Sequence, residues 1–281
     1  MSQSIYPCAK INLGLNIVNK RPDGYHELET VFYPVAIHDK ITIEESNDFD
    51  VPCKLIIEGH TINGDIKDNL VLRAFHVVSE NYHLPPVIIT LHKHIPMQAG
   101  MGGGSSDAAY TIRLLNEMYR LQMTVNEMRD LAIKLGADCP FFIESVPAYA
   151  EGIGEILHSI DLSFKDYWLA IIKPPVSIST REAFARVIPS KPHKKCKDIV
   201  KMPMESWKNE LHNDFEKSVF PKHPELEIIK NKLYEEGSVY AGMSGSGSSI
   251  YGFFKEQPIY LDNHFPNCET FILTNANPGP F

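Results

Sequence analysis

Pro96-Met97-Gln98-Ala99-Gly100-Met101-Gly102-Gly103-Gly104-Ser105-Ser106, running straight into Asp107-Ala108-Ala109-Tyr110-Thr111-Ile112, is the stretch on which the fold turns. Consecutive glycines let backbone N–H groups turn inward as an anion-binding concavity, and a helix starting behind them adds its dipole and its free N–H groups. Residues 107–120 supply that helix, because Ala108, Ile112, Leu115 and Tyr119 recur at three- and four-residue steps. Ser105 and Ser106 add hydroxyls, and Ser106 is the candidate for a metal-facing oxygen. No Lys-Ser or Lys-Thr follows the glycines, which excludes a Walker A loop, and Ser105 stands where a dinucleotide fingerprint needs its third glycine. A flexible linker is the alternative, and it fits poorly with an alanine-rich helix that follows at once. Alone, the loop says that phosphate is held, not whose.

Upstream, alternating or β-branched runs predict strands at 11–18, 30–37, 40–45, 53–58 and 87–92, with turns at Asp23-Gly24 and Asn63-Gly64. Leu70, Ala74, Val77 and Val78 predict a helix over 69–81. Downstream, Thr124 and Glu127 form a capping box for a helix whose apolar stripe, Met128, Leu131 and Leu135, ends at Gly136. Pro140 disfavours helix before it, so Asp138 is placed on a loop. Strands follow at 148–157 and 167–173, with a lobe boundary near Leu162 that divides the chain into 1–162 and 163–281. The second part holds helices at 181–187 and 225–236 and a glycine-serine turn at 242–249 with strands on either side. Strands and helices mixed without strict alternation define an α+β fold.

The 281 residues carry 27 Lys and Arg against 35 Asp and Glu, a net charge of −8, so no general positive field attracts nucleic acid. The basic segment around Lys191, Lys194, Lys195, Lys197 and Lys201 reads as a solvated loop. Five cysteines without a C-x-x-C pair fit neither a disulfide framework nor a zinc site and point to a reducing cytoplasm. The sequence contains neither a signal-peptide pattern nor an 18-residue apolar run, so neither export nor a membrane partner is expected. The sequence carries no signal for oligomeric state.

Four stretches carry more together than singly: Lys10-Ile11-Asn12-Leu13, the loop of 96–109, Gly136-Ala137-Asp138-Cys139-Pro140-Phe141-Phe142, and Gly242-Met243-Ser244-Gly245-Ser246-Gly247. In this order they resemble the characteristic stretches of the GHMP kinases, a family that includes galactokinase, homoserine kinase and mevalonate kinase, and the resemblance spans most of the chain. The turn Arg21-Pro22-Asp23-Gly24-Tyr25-His26-Glu27-Leu28 is similar to a signature of one branch. That branch phosphorylates the 2-hydroxyl of a cytidine-diphosphate-linked polyol in the non-mevalonate route to isoprenoid precursors.

The resemblance implies a two-lobed fold, with a ribosomal protein S5 domain 2-like ATP-binding lobe followed by a ferredoxin-like lobe. It implies ATP as phosphoryl donor held by residues 96–106, an accompanying Mg²⁺ whose protein ligands stay open, and a small-molecule acceptor. Gln98 and Met101 depart from the family, which often has glycine and leucine there. Met101 nearly conserves volume, whereas Gln98 with Ala99 stiffens the start of the loop.

Phosphoryl transfer to an alcohol needs an in-line hydroxyl, neutralised phosphate charge and, in general, a proton acceptor. A lone Asp near a Pro is ordinarily a turn former, and a lysine before an apolar strand is ordinarily solvated. The resemblance reverses both readings: Asp138 becomes the general base, and Lys10 the cation that orients it and stabilises the developing alkoxide charge. It also implies that Tyr25 stacks on cytosine, that His26 reads the base edge, and that Phe184 supplies the second aromatic face, core packing being its alternative. Asn12 points toward the polyol, and Thr180 and Gly245 complete the substrate contacts; for Gly245 a tight turn without ligand stays open. Another GHMP kinase would share the loop but lack Asp23-Gly24-Tyr25-His26, and a non-catalytic sensor would not need both Lys10 and Asp138.

Overall fold

The computed structural model describes residues 2–62 and 64–274. Asn63, half of one predicted turn, lies outside the described residues. The strands are β1 (Ser2–Ile5), β2 (Cys8–Lys20), β3 (His26–His38), β4 (Lys40–Glu45), β5 (Cys53–Gly59), β6 (Val87–Lys93), β7 (Ala148–Glu151), β8 (Ile156–Ser159), β9 (Trp168–Lys173), β10 (Tyr240–Met243), β11 (Ile250–Phe254) and β12 (Glu269–Leu273). The helices are α1 (Leu70–Ser79), α2 (Gly103–Met118), α3 (Val125–Ala132), α4 (Thr180–Phe184), α5 (Cys196–Ile199), α6 (Trp207–Glu210), α7 (Asp214–Val219), α8 (Pro224–Glu235) and α9 (Leu261–His264). The single strand expected over 148–157 is two, β7 and β8, turned at Gly152 with φ 74° and Gly154 with φ 115°.

The strands form three four-stranded sheets, ordered β1-β4-β6-β5, β2-β3-β7-β8 and β10-β11-β9-β12. The first is antiparallel except for the parallel pair β5 and β6, which α1 connects. In the third, β9 and β11 pair at the centre, α8 lies between β9 and β10 in the chain, and α9 between β11 and β12. This is the split β-α-β order of a ferredoxin-like sheet.

The β2–β3 sheet feeds three cores, the third of which joins Leu15 and Ile17 to Ala170, Ile172, Phe215 and Met243. Phe32, Ala148 and Ala150 join Ile41, Ile89, Phe75, Ile112 and Leu115 on one side. Ile11, Leu13, Val31 and Tyr33 pack with Leu169, Ile171, Tyr251, Phe253 and Trp207 on the other. Each such fully buried aliphatic side chain contributes roughly 1.5–3 kcal/mol of transfer free energy. The helix predicted behind the glycines differs from its expected amphipathic form: α2 begins at Gly103 and buries Asp107, Ala108, Ala109, Tyr110, Thr111 and Leu114 as well as Ile112 and Leu115. A helix buried nearly all round has no single stripe to read. The basic segment also departs from a plain solvated loop. Its lysines do reach out, Lys194 to Glu210 at 3.1 Å and Lys195 to Glu151 at 3.2 Å, but Cys196, Ile199 and Val200 anchor α5 in the second core.

One buried ion cluster fixes where the glycine loop starts and ends. Lys93, at the end of β6, lies within a fully buried site and donates to Asp39 and, at 2.7 Å, to Asp107 in the first turns of α2. Asp39 also accepts from the N–H groups of His94 at 2.5 Å and Ile95 at 2.8 Å. Burial, opposed by Lys93 and reinforced by Asp39, pushes the Asp107 carboxyl well above the ordinary carboxylate range. Burial works against the charge of Lys93, but the two carboxylates outweigh it and raise its pKa. Replacing Asp39 by Ala leaves Lys93 and two N–H groups short of partners, and urea denaturation should show a loss of about 3 kcal/mol; a loss below about 1 kcal/mol would remove this cluster as the anchor of the loop.

Candidate active site

Lys10 leaves the start of β2, where its N–H donates to the carbonyl of Met101 at 3.0 Å and so ties strand to loop. The side chain is 4% exposed. Its Nζ donates to Asn12 Oδ1 at 2.6 Å, stands 3.3 Å from Asp138 Oδ2, and lies 4.9 Å from the centre of the Phe32 ring. Asn12 is fixed in turn, since its Nδ2 donates to Thr30 Oγ1 at 3.0 Å. Asp138 sits in the turn before a 3₁₀ helix, Cys139–Ile143, and keeps its side chain 35% exposed. The same short helix brings Phe142 beneath the loop, where a Cβ on Gly102 would meet its ring at 2.8 Å. Lys10 and Asp138, 128 residues apart in sequence, are thus neighbours at one end of a cavity.

Every second residue of the loop takes a left-handed backbone: Gln98 at φ 49°, Gly100 at φ 70° and Gly102 at φ 70°. Alternation of this kind aims N–H groups to one side. It also explains the departure noted at Gln98, where a side chain occupies a conformation that favours glycine by roughly 1–2 kcal/mol. Pro96, Ala99 and Met101 are buried, Met97 is half-buried, and Gln98 is exposed. Gly102 caps α2, leaving the first N–H groups of the helix, those of Gly103, Gly104 and Ser105, without intrahelical partners. Ser105 lines the cavity. Ser106, expected as the metal-facing hydroxyl, instead donates to the carbonyl of Cys8 at 2.6 Å and is fully buried.

The turn between β10 and β11 locks onto this loop. Ser244 Oγ donates to the carbonyl of Gly100 at 2.8 Å and accepts from Asn12 N–H at 3.2 Å, while Ser249 N–H donates to Ala99 at 3.2 Å. A Cβ on Gly100 would stand 1.9 Å from the Ser244 carbonyl oxygen. Asn213 holds the turn from behind, donating to the carbonyls of Met243 and Gly245, both at 2.8 Å. Gly245 and Ser246 line the cavity.

The cavity, about 910 Å³, runs from Lys10, Asp138 and Gly102 to Tyr25, His26, Thr180 and Phe184. Tyr25 is exposed on a turn closed by Arg21 N–H to Tyr25 O at 2.7 Å. The His26 ring stacks on Phe184 at 4.7 Å and 21°, and Phe184 meets Phe215 edge-on. Burial, then the charge of Lys20, lowers the pKa of His26, which favours the neutral imidazole. Among the residues expected in the site, Asn12, Gly100 and Gly102 also line this cavity, whereas Pro96, Met97, Gln98, Ala99, Met101, Gly103, Gly104 and Ser106 do not. Six lining residues lie outside the expected site and the stretches quoted for it: Thr30, Phe32, Ile153, Arg181, Ala185 and Phe215. The alternation of β3 and the Gly152-Ile153-Gly154 turn were visible signals for Thr30 and Ile153; Arg181 opens the helix expected over 181–187, and Phe215 carried no signal.

A second cavity of about 300 Å³ is lined by Ile57, Ile62, Ile66, Asp65, Asp68 and Asn69. It adjoins the loop, since Leu70, next to Asn69, is 3.7 Å from where a Cβ of Gly104 would stand. Among the described residues no three His, Cys, Asp or Glu side chains gather as a metal cage, and no helix is long and apolar enough to cross a membrane.

Residues 69–145 match the GHMP kinases N terminal domain and residues 197–259 the GHMP kinases C terminal family. The chain belongs to the GHMP kinases, and it is an enzyme of that class. Within the family its place is among the 4-diphosphocytidyl-2-C-methyl-D-erythritol kinases. It is 52% identical over 252 residues to the protein of that name from Bacteroides thetaiotaomicron, covering 90% of this chain and 92% of the relative. The counterpart from Chlorobium phaeobacteroides is 40% identical over 278 residues, covering 94% and 95%. A crystal structure of 4-(cytidine 5'-diphospho)-2C-methyl-D-erythritol kinase superposes with a TM-score of 0.81 at 29% identity, covering 97% of this chain and 100% of that one. The interlocked glycine turns give this kinase a sharp test. Gly100→Ala should lower kcat/KM for ATP by about 10²-fold through displacement of the loop, and steady-state kinetics with ATP varied will read it; a change under about threefold would show that the loop tolerates the shift.

Proposed function

We propose that the chain transfers the γ-phosphoryl group of ATP to the 2-hydroxyl of 4-diphosphocytidyl-2-C-methyl-D-erythritol, a step toward isoprenoid precursors. The observation that carries this reading is the Lys10–Asp138 contact of 3.3 Å at one end of a cavity whose other end is the Tyr25, His26 and Phe184 cluster. The names of the relatives support the same substrate. In this reading residues 1–162 hold ATP and 163–281 complete the acceptor site.

ATP lies with its phosphates against the N–H groups of the loop and the start of α2, and the cavity beside Leu70, with Ile57, Ile62 and Ile66 for the ring faces and Asn69 for its polar edge, seats the adenine. The cytosine enters beside Tyr25 and reaches the face of Phe184 by displacing the His26 ring that stacks on it here, leaving neutral His26 to accept or donate at the base edge. Thr180 and Gly245 border the middle of the substrate, and its polyol reaches Asn12, Lys10 and Asp138. Asp138 accepts the proton of the 2-hydroxyl as that oxygen bonds to the γ-phosphorus. The bond from the γ-phosphorus to the bridging oxygen breaks, and its electron pair leaves with ADP. Lys10, held by Asn12, faces the negative charge that develops on the attacking oxygen. Ser105 is the hydroxyl that would hold a Mg²⁺ bound to ATP, and the ion would supply screening of the phosphate charge. Phosphoryl transfer of a loose kind relies chiefly on this positioning and charge stabilisation.

An ADP-release assay with ATP and Mg²⁺ tests the substrate, offering the cytidylylated methylerythritol, homoserine and mevalonate in parallel. Turnover of the first alone is expected; turnover of homoserine or mevalonate alone would overturn the substrate assignment and leave the kinase standing. In the same assay Asp138→Asn should lower kcat by about 10²–10⁴-fold with the fold intact by circular dichroism. Less than about a threefold drop would remove Asp138 as the base.

A further inference from the structure

Arg181 stands apart from the other charged groups of the cavity. The lining contains two permanent cations, Lys10 and Arg181, and one carboxylate, Asp138. Lys10 is already engaged with Asp138 and Asn12. Arg181 is exposed, and among the described residues no ion pair or hydrogen bond engages its guanidinium. Its neighbour Glu182, the obvious local partner, is taken by His223 at 3.2 Å and Lys222 at 3.5 Å. In a chain of net charge −8, an uncommitted guanidinium among the residues lining the cavity is free to meet an anion that enters it.

Its position says which anion. Arg181 and Phe184 are three residues apart on α4 and both line the cavity, so they are neighbours on one face of the helix. A base stacked on Phe184 places the phosphates one ribose away, a span of the order of one helical turn, about 5.4 Å. We infer that Arg181 is a specificity-determining residue that binds the diphosphate of the cytidylylated acceptor through its planar fork, distinguishing a nucleoside diphosphate from the bare nucleoside. This rests on the substrate reading given above. A guanidinium fits two phosphate oxygens at once, which an ammonium cannot do in the same geometry.

Calorimetric titration of the intact enzyme with CDP and with cytidine separates the possibilities. Arg181→Gln should weaken CDP at least about tenfold while cytidine moves less than twofold, and Arg181→Lys should recover part of the loss. In steady-state assays Arg181→Gln should raise KM for the cytidylylated substrate by a similar factor and leave KM for ATP within twofold. CDP affinity unchanged in Arg181→Gln would overturn the inference while the substrate reading stands. A rise confined to KM for ATP would overturn it by assigning the guanidinium to the donor's phosphates. Failure of the wild-type enzyme to bind CDP or cytidine, or to turn over the cytidylylated substrate, would overturn the substrate reading and this inference with it.

Discussion

A lysine with no access to water, shared between two aspartates, governs the position of both ends of the glycine loop in this molecule. Lys93 closes β6, Asp39 lies between β3 and β4 and grips the N–H groups of His94 and Ile95, and Asp107 opens α2. The flexible glycines are therefore strung between two points on one buried cluster. A loop free to take many conformations would lose that freedom on binding and weaken the complex accordingly. Fixing its ends before the nucleotide arrives removes much of that cost, and the left-handed residues at 98, 100 and 102 then decide which way its N–H groups face.

The second constraint is steric and comes from the far end of the chain. The Gly242–Ser249 turn touches the phosphate loop backbone to backbone, with Ser244 bridging Gly100 and Asn12. Close approach of two main chains is possible only where side chains are missing, so Gly100 and Gly245 serve contact between loops as well as any contact with a ligand. The alternatives left open for Gly245, a ligand contact or a tight turn, are therefore not exclusive. Asn213, donating to two carbonyls of the turn, makes the arrangement stiff enough to hold a reacting geometry.

Much of the fold was legible because its signals are local. The β-branched runs of β2 to β6 and the Thr124–Glu127 capping box stand where the residues put them. β1, Ser2–Ile5, was missed because four residues reading Ser-Gln-Ser-Ile carry no contrast, and α5, α6 and α7 were missed because helices of four to six residues are set by what they pack on. Lys10 and Asp138 were found through motif resemblance, since neither residue announces chemistry in isolation. Asp39, Lys93 and Asp107 were invisible for the opposite reason: 54 residues separate the first pair, and an ordinary-looking charge acquires its meaning only when burial brings its partners. Arg181 opens the helix expected over 181–187 but its setting was illegible, because exposure toward a cavity and exposure toward bulk water look the same in a sequence.

The core shared between Ile11, Leu13 and Tyr33 on one side and Leu169, Tyr251 and Phe253 on the other bears on how such a molecule can change over evolutionary time. Its two halves are not exchangeable modules. A second half borrowed from a relative would meet the inner face of β2 and β3 with the wrong shapes, and would bring its own turn against Gly100. Change is then channelled into the exposed tip of the hairpin around Tyr25, whereas the short helix carrying Phe184 is itself held by Ala183 and Phe215 in the third core.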